Sequence, residues 1–199
     1  MSDSPATARQ QLKADRREAL LGAAKLLIAQ HGYAGVRLND IGGAAGVSGP
    51  AVYRHFASKN AVLAELLVGI SHRLLEGGRR IQQENESAQD ALRALVSWQL
   101  EFALTEPELI LIFDRDRFQL EPGDLREVRK SQRAYVEVWV DVIGRAVPSG
   151  REDDDRTRAH AVIGLINSTP RIPGQLPAAD VRRILTEMAL GSLIRSRTG

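Results

Sequence analysis

Residues 38–56, LNDIGGAAGVSGPAVYRHF, constrain the fold of this chain more than any other stretch. Ile41 and Ala45 stand four apart, so they share one face of a short helix, and Val52 and Phe56 repeat that spacing further on. Between them Gly46 supplies the positive φ that a tight corner between two crossed helices requires, and Val47 fills the corner. Gly42 and Ala45 are small, so the two helices can approach closely. The spacing predicts one helix over about 38–45 and another over about 49–56. Ser48 is placed as an N-cap and Pro50 in the first turn, where a missing N–H is no loss.

The same periodicity runs through the rest of the chain. Leu20, Ala24, Leu27 and Ile28 form an apolar stripe that predicts a helix from about Asp15 to His31, stopped by Gly32 in the left-handed conformation. Residues 1–13 are polar and read as a mobile basic arm. Ser58 should cap a long helix over 59–83, bent or frayed at Gly77-Gly78. Further helices are expected near 88–105, 107–119, 123–146, 153–167 and 178–197, separated by Pro107, EPGD, PSG and TPRIPGQLP. No period-2 strand stands out; LILIF at 109–113 has the composition of one, but helical flanks and no partner. The expected class is all-α. A three-helix N-terminal unit with its arm occupies residues 1–57, joined to a larger helical body over 58–199.

Charge separates these two parts. The first sixty residues hold eight Lys and Arg against four Asp and Glu, whereas the whole chain nets only +2. A basic N-terminal third on a near-neutral body favours an anionic partner there. The outward side of the helix after the corner carries Gly49, Pro50, Tyr53 and Arg54, with His55 beside them. Such a helix can lie in the major groove of DNA with its first turn toward base edges. Tyr53, His55 and Lys59 suit phosphate contacts, and Arg54 reaches either a guanine edge or a phosphate. Ser48 and Ala51 lie on the same leading edge, Ala51 able to touch a thymine methyl, and Arg37 can clamp the backbone ahead of the corner.

These residues carry a resemblance. GVSGPAVYRHFASKNAVLAELL, preceded by RREALLGAAKLLIAQHGYAGVRLNDIG, is similar to the N-terminal signature of the TetR family of transcriptional regulators over roughly residues 16–68. Three departures stand out: Gly42 where the family usually has Ala, Gly49 where a polar or basic residue is common, and Ala51 in place of Thr or Ser. The resemblance implies a ligand-responsive regulator, by default a repressor, that binds a palindromic operator as a homodimer. A small, largely apolar effector would release it. A helical ligand-binding protein that has lost DNA binding is the rival reading, motivated by Gly49 and Ala51.

For the body, the resemblance implies a four-helix dimer interface and a ligand chamber. Leu165 on one helix, and Ile184, Met188, Gly191 and Ser192 on the last, are the expected interface residues. Trp98, Phe102, Phe113 and Trp139 are expected to line the chamber, with Arg117 and Asn167 as polar contacts. The run 114–139 is similar in style to regulators of acyl-CoA catabolism, so an acyl-CoA-type thioester is the expected effector, its phosphates met by Arg115, Arg117, Arg129 and Arg133.

Several classes are disfavoured. With no cysteine, disulfides and thiolate metal sites are excluded. The four His residues lack zinc-ligand spacing, and EDDD at 152–155 lacks the alternation of a calcium loop and reads as helix N-terminal charge. No nucleophile-elbow or phosphate-loop pattern occurs. No catalysis, metal or cofactor is expected. No stretch has signal-peptide or membrane-span character, which makes the cytoplasm the expected location.

Overall fold

The computed structural model describes residues 5–147, 151–172 and 176–194, and every regular element among them is helical. In chain order these are α1 Pro5–Gly35, α2 Leu38–Ala44, α3 Gly49–Val52, α4 Lys59–Glu84, α5 Ala88–Thr105, α6 Pro107–Asp116, α7 Pro122–Ala146, α8 Glu152–Ile166 and α9 Ala178–Ile194. Short 3₁₀ turns follow α6 at Arg117–Gln119 and α8 at Thr169–Arg171.

The elements form two compact units. The first holds residues 1–68 and 111–125; the second holds 69–110 and 126–199. The core of the first unit is Leu20, Ala24 and Ile28 of α1, Ile41 of α2, Val52, Phe56, and Val62, Leu63 and Leu67 of α4, joined by Ile112 and Leu120. The predicted α1 stripe is therefore the buried one, except that Leu27 is only half-buried. The core of the second unit gathers Leu92, Leu95, Val96 and Leu100 of α5, Trp139, Val142 and Ile143 of α7, Val162 and Ile166 of α8, and Leu185, Ala189 and Leu193 of α9.

Several expectations are corrected. The N-terminal arm is helical from Pro5 onward, so α1 begins ten residues before Asp15. Gly32 has φ 78°, as a helix stop should, yet one more turn to Gly35 follows it. The guanidinium of Arg115 lies 3.7 Å from where a Gly32 side chain would begin. Arg115 donates to the carbonyls of Ile28 and Ala29 and pairs with buried Asp116. A cation on the open carbonyls of a helix end satisfies groups that would otherwise lack partners.

α4 runs unbroken through Gly77 and Gly78. These glycines are seats for rings: a Cβ on Gly77 would lie 2.3 Å from the Trp98 indole, and one on Gly78 would lie 2.7 Å from the Tyr135 ring. Ser58 caps the start of this helix by accepting from the Ala61 N–H at 3.1 Å, as expected. The segment 109–113 is helical within α6, which ends at Asp116 and not at Gln119. The end of the last expected helix, beyond Ile194, and the PSG breaker lie outside the described residues.

Candidate nucleic-acid interface

The corner between α2 and α3 is closed by backbone chemistry. Val47 N–H donates to Gly42 O at 2.8 Å and Gly46 N–H to Gly43 O at 3.1 Å, with Gly46 at φ 64°. This pair of bonds is the Schellman end of a helix, and it needs a residue without a Cβ penalty at Gly46. Gly42 is small for a different reason: a Cβ there would lie 2.3 Å from a methyl of Val52 and 3.0 Å from Val47 O. The β-branched Val52, fully buried, occupies the space that the family's usual alanine would need.

α3 is shorter than predicted. Regular helix ends at Val52, and the next residues tighten into a turn in which Arg54 N–H donates to Ala51 O and His55 N–H to Val52 O. Ser48 holds the N-cap position, but its side chain makes no capping bond. The tightening lets the chain reverse into α4. Phe56, buried, lies under the Arg17 guanidinium at 4.2 Å from ring centroid, and Arg17 also donates to His55 O and to both carboxylate oxygens of Glu65. One arginine of α1 thus holds the end of the α3 turn against α4.

This scaffold leaves a polar edge in solvent. Ser48, Pro50, Tyr53 and Arg54 are exposed, Tyr53 at 57%, and Gly49 and Ala51 are half-buried beside them. Arg37 is also exposed, ahead of α2, where its backbone N–H is bound by Asp40 at 2.8 Å. Arg37 and Arg54 have no ion-pair partner among the described residues. The edge is therefore cationic and free of internal partners, as expected of a surface awaiting phosphates.

Two expected contact residues behave differently. Lys59 donates to the carbonyls of Tyr33 at 2.6 Å and Val36 at 2.7 Å, with its ammonium 4.1 Å from the Tyr33 ring centroid. It is a strut of the α1–α2 corner, not the free cation expected of it. His55 is half-buried, and its Nδ1 has no hydrogen-bond partner. Burial first, then the positive charges of Lys13, Arg17 and Arg16, hold its imidazole below the usual histidine range, so it is neutral at physiological pH. α1 was not expected to reach this region, yet Lys13 and Arg16 bear on the same side; the basic run of the N-terminus was the signal for it.

The expected chamber residues divide between the units. Trp98, Phe102, Trp139 and Asn167 belong to the second; Phe113 and Arg117 belong to the first. Arg117 donates to the carbonyls of Phe113 and Asp114 and lies over the rings of Phe113 and Phe118, so it closes the end of α6. Arg115 is likewise committed to α1, and only Arg129 and Arg133 of the expected arginine group are exposed without a partner among the described residues. In the second unit two residues not singled out from sequence carry a buried relay. Tyr135 hydroxyl donates to Gln99 Oε1 at 2.9 Å, and Gln99 Nε2 donates to Asn167 Oδ1 at 2.8 Å.

α9 has two apolar faces. Leu185, Ala189 and Leu193 are buried in the core, whereas Val181, Ile184 and Gly191 are half-buried and Met188 is 50% exposed on the other side. Ser192 is exposed, its hydroxyl turned back to Ala189 O. On α8, Leu165 is half-buried while Val162 and Ile166 fill the core. No group of His, Asp or Glu among the described residues could hold a metal ion, and no helix there is long and apolar enough to cross a membrane.

Comparison with known proteins agrees with this geometry. Residues 20–66 match the family described as bacterial regulatory proteins, tetR family, and residues 85–193 match the tetracyclin repressor-like C-terminal domain. Among curated proteins the chain is similar to the HTH-type transcriptional regulator CymR of Pseudomonas putida, 29% identical over 157 residues that cover 76% of this chain and 74% of that one. Among solved structures it shares its fold with the ketosteroid transcriptional regulator KstR2 of Mycobacterium tuberculosis, with a TM-score of 0.78, 24% identity, and 89% and 94% of the two chains covered. It shares its fold also with AibR solved in complex with isovaleryl coenzyme A and operator DNA, with a TM-score of 0.73, 18% identity, and 87% and 97% covered.

Proposed function

The chain belongs to the TetR family of bacterial regulatory proteins, and from that premise we propose that it is a cytoplasmic, ligand-released repressor that binds a palindromic operator as a homodimer. The observation that carries this reading is the exposed edge Ser48–Arg54, displayed by a closed glycine corner and left without internal partners. Residues 1–57 read the DNA, with Tyr53, Arg54 and Arg37 as contacts; the body, 58–199, binds the effector and its own copy. Lys59 and Arg17 position the reading helix. His55 offers a neutral imidazole to phosphate.

Dimerisation is supported by the outer face of α9. Val181, Ile184, Met188 and Gly191 recur along one side, and an apolar stripe of that width on a helix already packed by its other face calls for a second partner. A twofold axis through such a face repeats the reading helix, as palindromic sites about 34–36 Å between half-sites require. The effector reading is supported by Trp98, Phe102 and the Gln99–Tyr135–Asn167 relay inside an apolar unit, and by AibR, a relative in fold that was solved with isovaleryl coenzyme A. An acyl-CoA-type thioester is the proposed class.

The test is fluorescence anisotropy of labelled duplex from the region upstream of the chain's own gene. We expect saturable, salt-sensitive binding with a stoichiometry of one dimer or a multiple of it, reversed by an acyl-CoA. Ile184→Asp should give a monomer by light scattering and abolish operator binding. A protein that binds no such duplex under any salt condition would be the ligand-binding rival, in which the polar edge has lost its target.

A further inference from the structure

The second unit holds one polar donor that its own chain leaves unused. Trp139 is fully buried, and its indole Nε1–H makes no hydrogen bond. The other tryptophan, Trp98, directs its N–H to Leu74 O at 3.4 Å. A buried N–H without an acceptor costs on the order of 1–3 kcal/mol, and native proteins rarely keep one without a use for it.

The surroundings of this donor are polar and uncharged. The Tyr135 ring stands edge-on to Trp139, at 90° and 6.3 Å between centroids. Its hydroxyl hydrogen is already given to Gln99, and Gln99 is fixed in turn by Asn167. The relay joins α5, α7 and the C-cap of α8, so the amide of Gln99, 1% exposed, has its orientation set from both ends. Burial keeps the phenol protonated; the Trp139 N–H lies near enough to oppose that weakly but is not aligned to hydrogen-bond with it. The buried carboxylate of this unit, Asp155, pairs with Arg158 of its own helix. Trp98 and Phe102, half-buried, share the side of α5 that carries Gln99.

We propose that this cluster, with Trp139 N–H as donor and the Tyr135–Gln99–Asn167 relay beside it, recognises an uncharged carbonyl oxygen of the effector, the oxygen of a ketone or thioester and not of a free carboxylate. An indole can only donate, so its partner must be an acceptor. A carboxylate placed here would lack a cation and lose its hydration, whereas a carbonyl loses little and gains one hydrogen bond. The inference rests on the ligand-released reading and narrows its effector to a chemical class.

The experiment uses the full-length protein on its labelled operator, with tryptophan fluorescence as a second readout. Decanoyl-CoA, a long-chain methyl ketone and decanoate are titrated against wild type, Trp139→Phe and Tyr135→Phe. The thioester and the ketone should bind, and decanoate should bind about tenfold more weakly, a difference of the size one hydrogen bond and one uncompensated charge produce. Trp139→Phe, which retains a ring and leaves Trp98 as reporter, should weaken the carbonyl ligands about tenfold and leave decanoate unchanged. If Trp139→Phe does not fold, Tyr135→Phe must still reduce the preference for carbonyl over carboxylate. Equal binding of ketone and decanoate, equal losses for all ligands in either variant, or no binding of any ligand overturns the inference, while intact operator binding in those cases leaves the DNA-reading function standing. Loss of operator binding in wild type overturns the regulator reading itself.

Discussion

Gly42→Ala sets local helix propensity against tertiary packing, with opposite expected signs. In a helix interior alanine is favoured over glycine by about 0.8–1 kcal/mol. The family's usual residue at this position is also alanine. The structure argues the reverse, because the new Cβ would lie 2.3 Å from Val52 Cγ2 and 3.0 Å from Val47 O. Val52 cannot turn aside cheaply: it is β-branched, fully buried, and on the turn that carries the DNA-reading edge. Overpacking of this kind costs about 1–3 kcal/mol, so Gly42→Ala should destabilise by up to about 2 kcal/mol after the propensity gain is subtracted. Val52→Ala alone removes two methyl groups and should cost about 2 kcal/mol by transfer and cavity terms. In the double variant the methyl added at position 42 fills space vacated at 52, so the two losses should not add. A coupling of about 1–2 kcal/mol in the favourable direction is expected from urea unfolding followed by far-ultraviolet circular dichroism. Operator anisotropy should show the single Gly42→Ala variant weakened even at temperatures where it is fully folded, because α2 and α3 are pushed apart. If Gly42→Ala stabilises the protein by about its propensity gain, or if the two changes are additive, the claim that Val52 made glycine necessary here is wrong.

Other expectations follow from the same geometry. Tyr53→Ala and Arg54→Ala should each weaken operator binding about fivefold to tenfold, and Arg54→Ala should lower the salt slope by about one counterion, with urea midpoints unchanged because both side chains are exposed. Lys59→Met should lower stability by about 2 kcal/mol, because it removes two charge-assisted bonds to Tyr33 and Val36 carbonyls; a mere phosphate contact would leave the urea midpoint where it was. His55 has a folded pKa below its ordinary 6.5, so the unfolded chain takes up a proton first as pH falls. Its contribution to stability is therefore complete above about pH 6.5 and declines as pH drops from there toward the folded value. Comparing unfolding of wild type and His55→Gln across that window should show a shallower slope in the variant, and equal slopes would contradict the burial assigned to this ring.

Much of the fold was legible because it depends on short-range spacing. The α1 stripe, the Gly46 corner, the Ser58 cap and the apolar sides of α5 and α7 all lie within a few residues of one another, where helical period and φ preference act directly. The start of α1 was missed because polarity near a terminus looks the same whether the segment is helical or mobile. The glycine pair of α4 was misread because a helix break and a seat for a ring demand the same residue; only the positions of Trp98 and Tyr135, far along the chain, distinguish them.

Lys59, Arg115 and Arg117 show a second limit. From sequence each is a free cation suited to phosphate, yet each is spent on carbonyls at a helix end or corner. Gln99 and Tyr135 show the converse, since neither residue type signals a relay until α5, α7 and α8 are packed together. The residue order alone determined an all-helical chain, the glycine corner with its outward Tyr53 and Arg54, and through them the family. Which charges stay free, which donor is left buried without an acceptor, and why position 42 tolerates no side chain were decided only by tertiary packing, because partners separated by tens of residues meet at distances that no local period encodes.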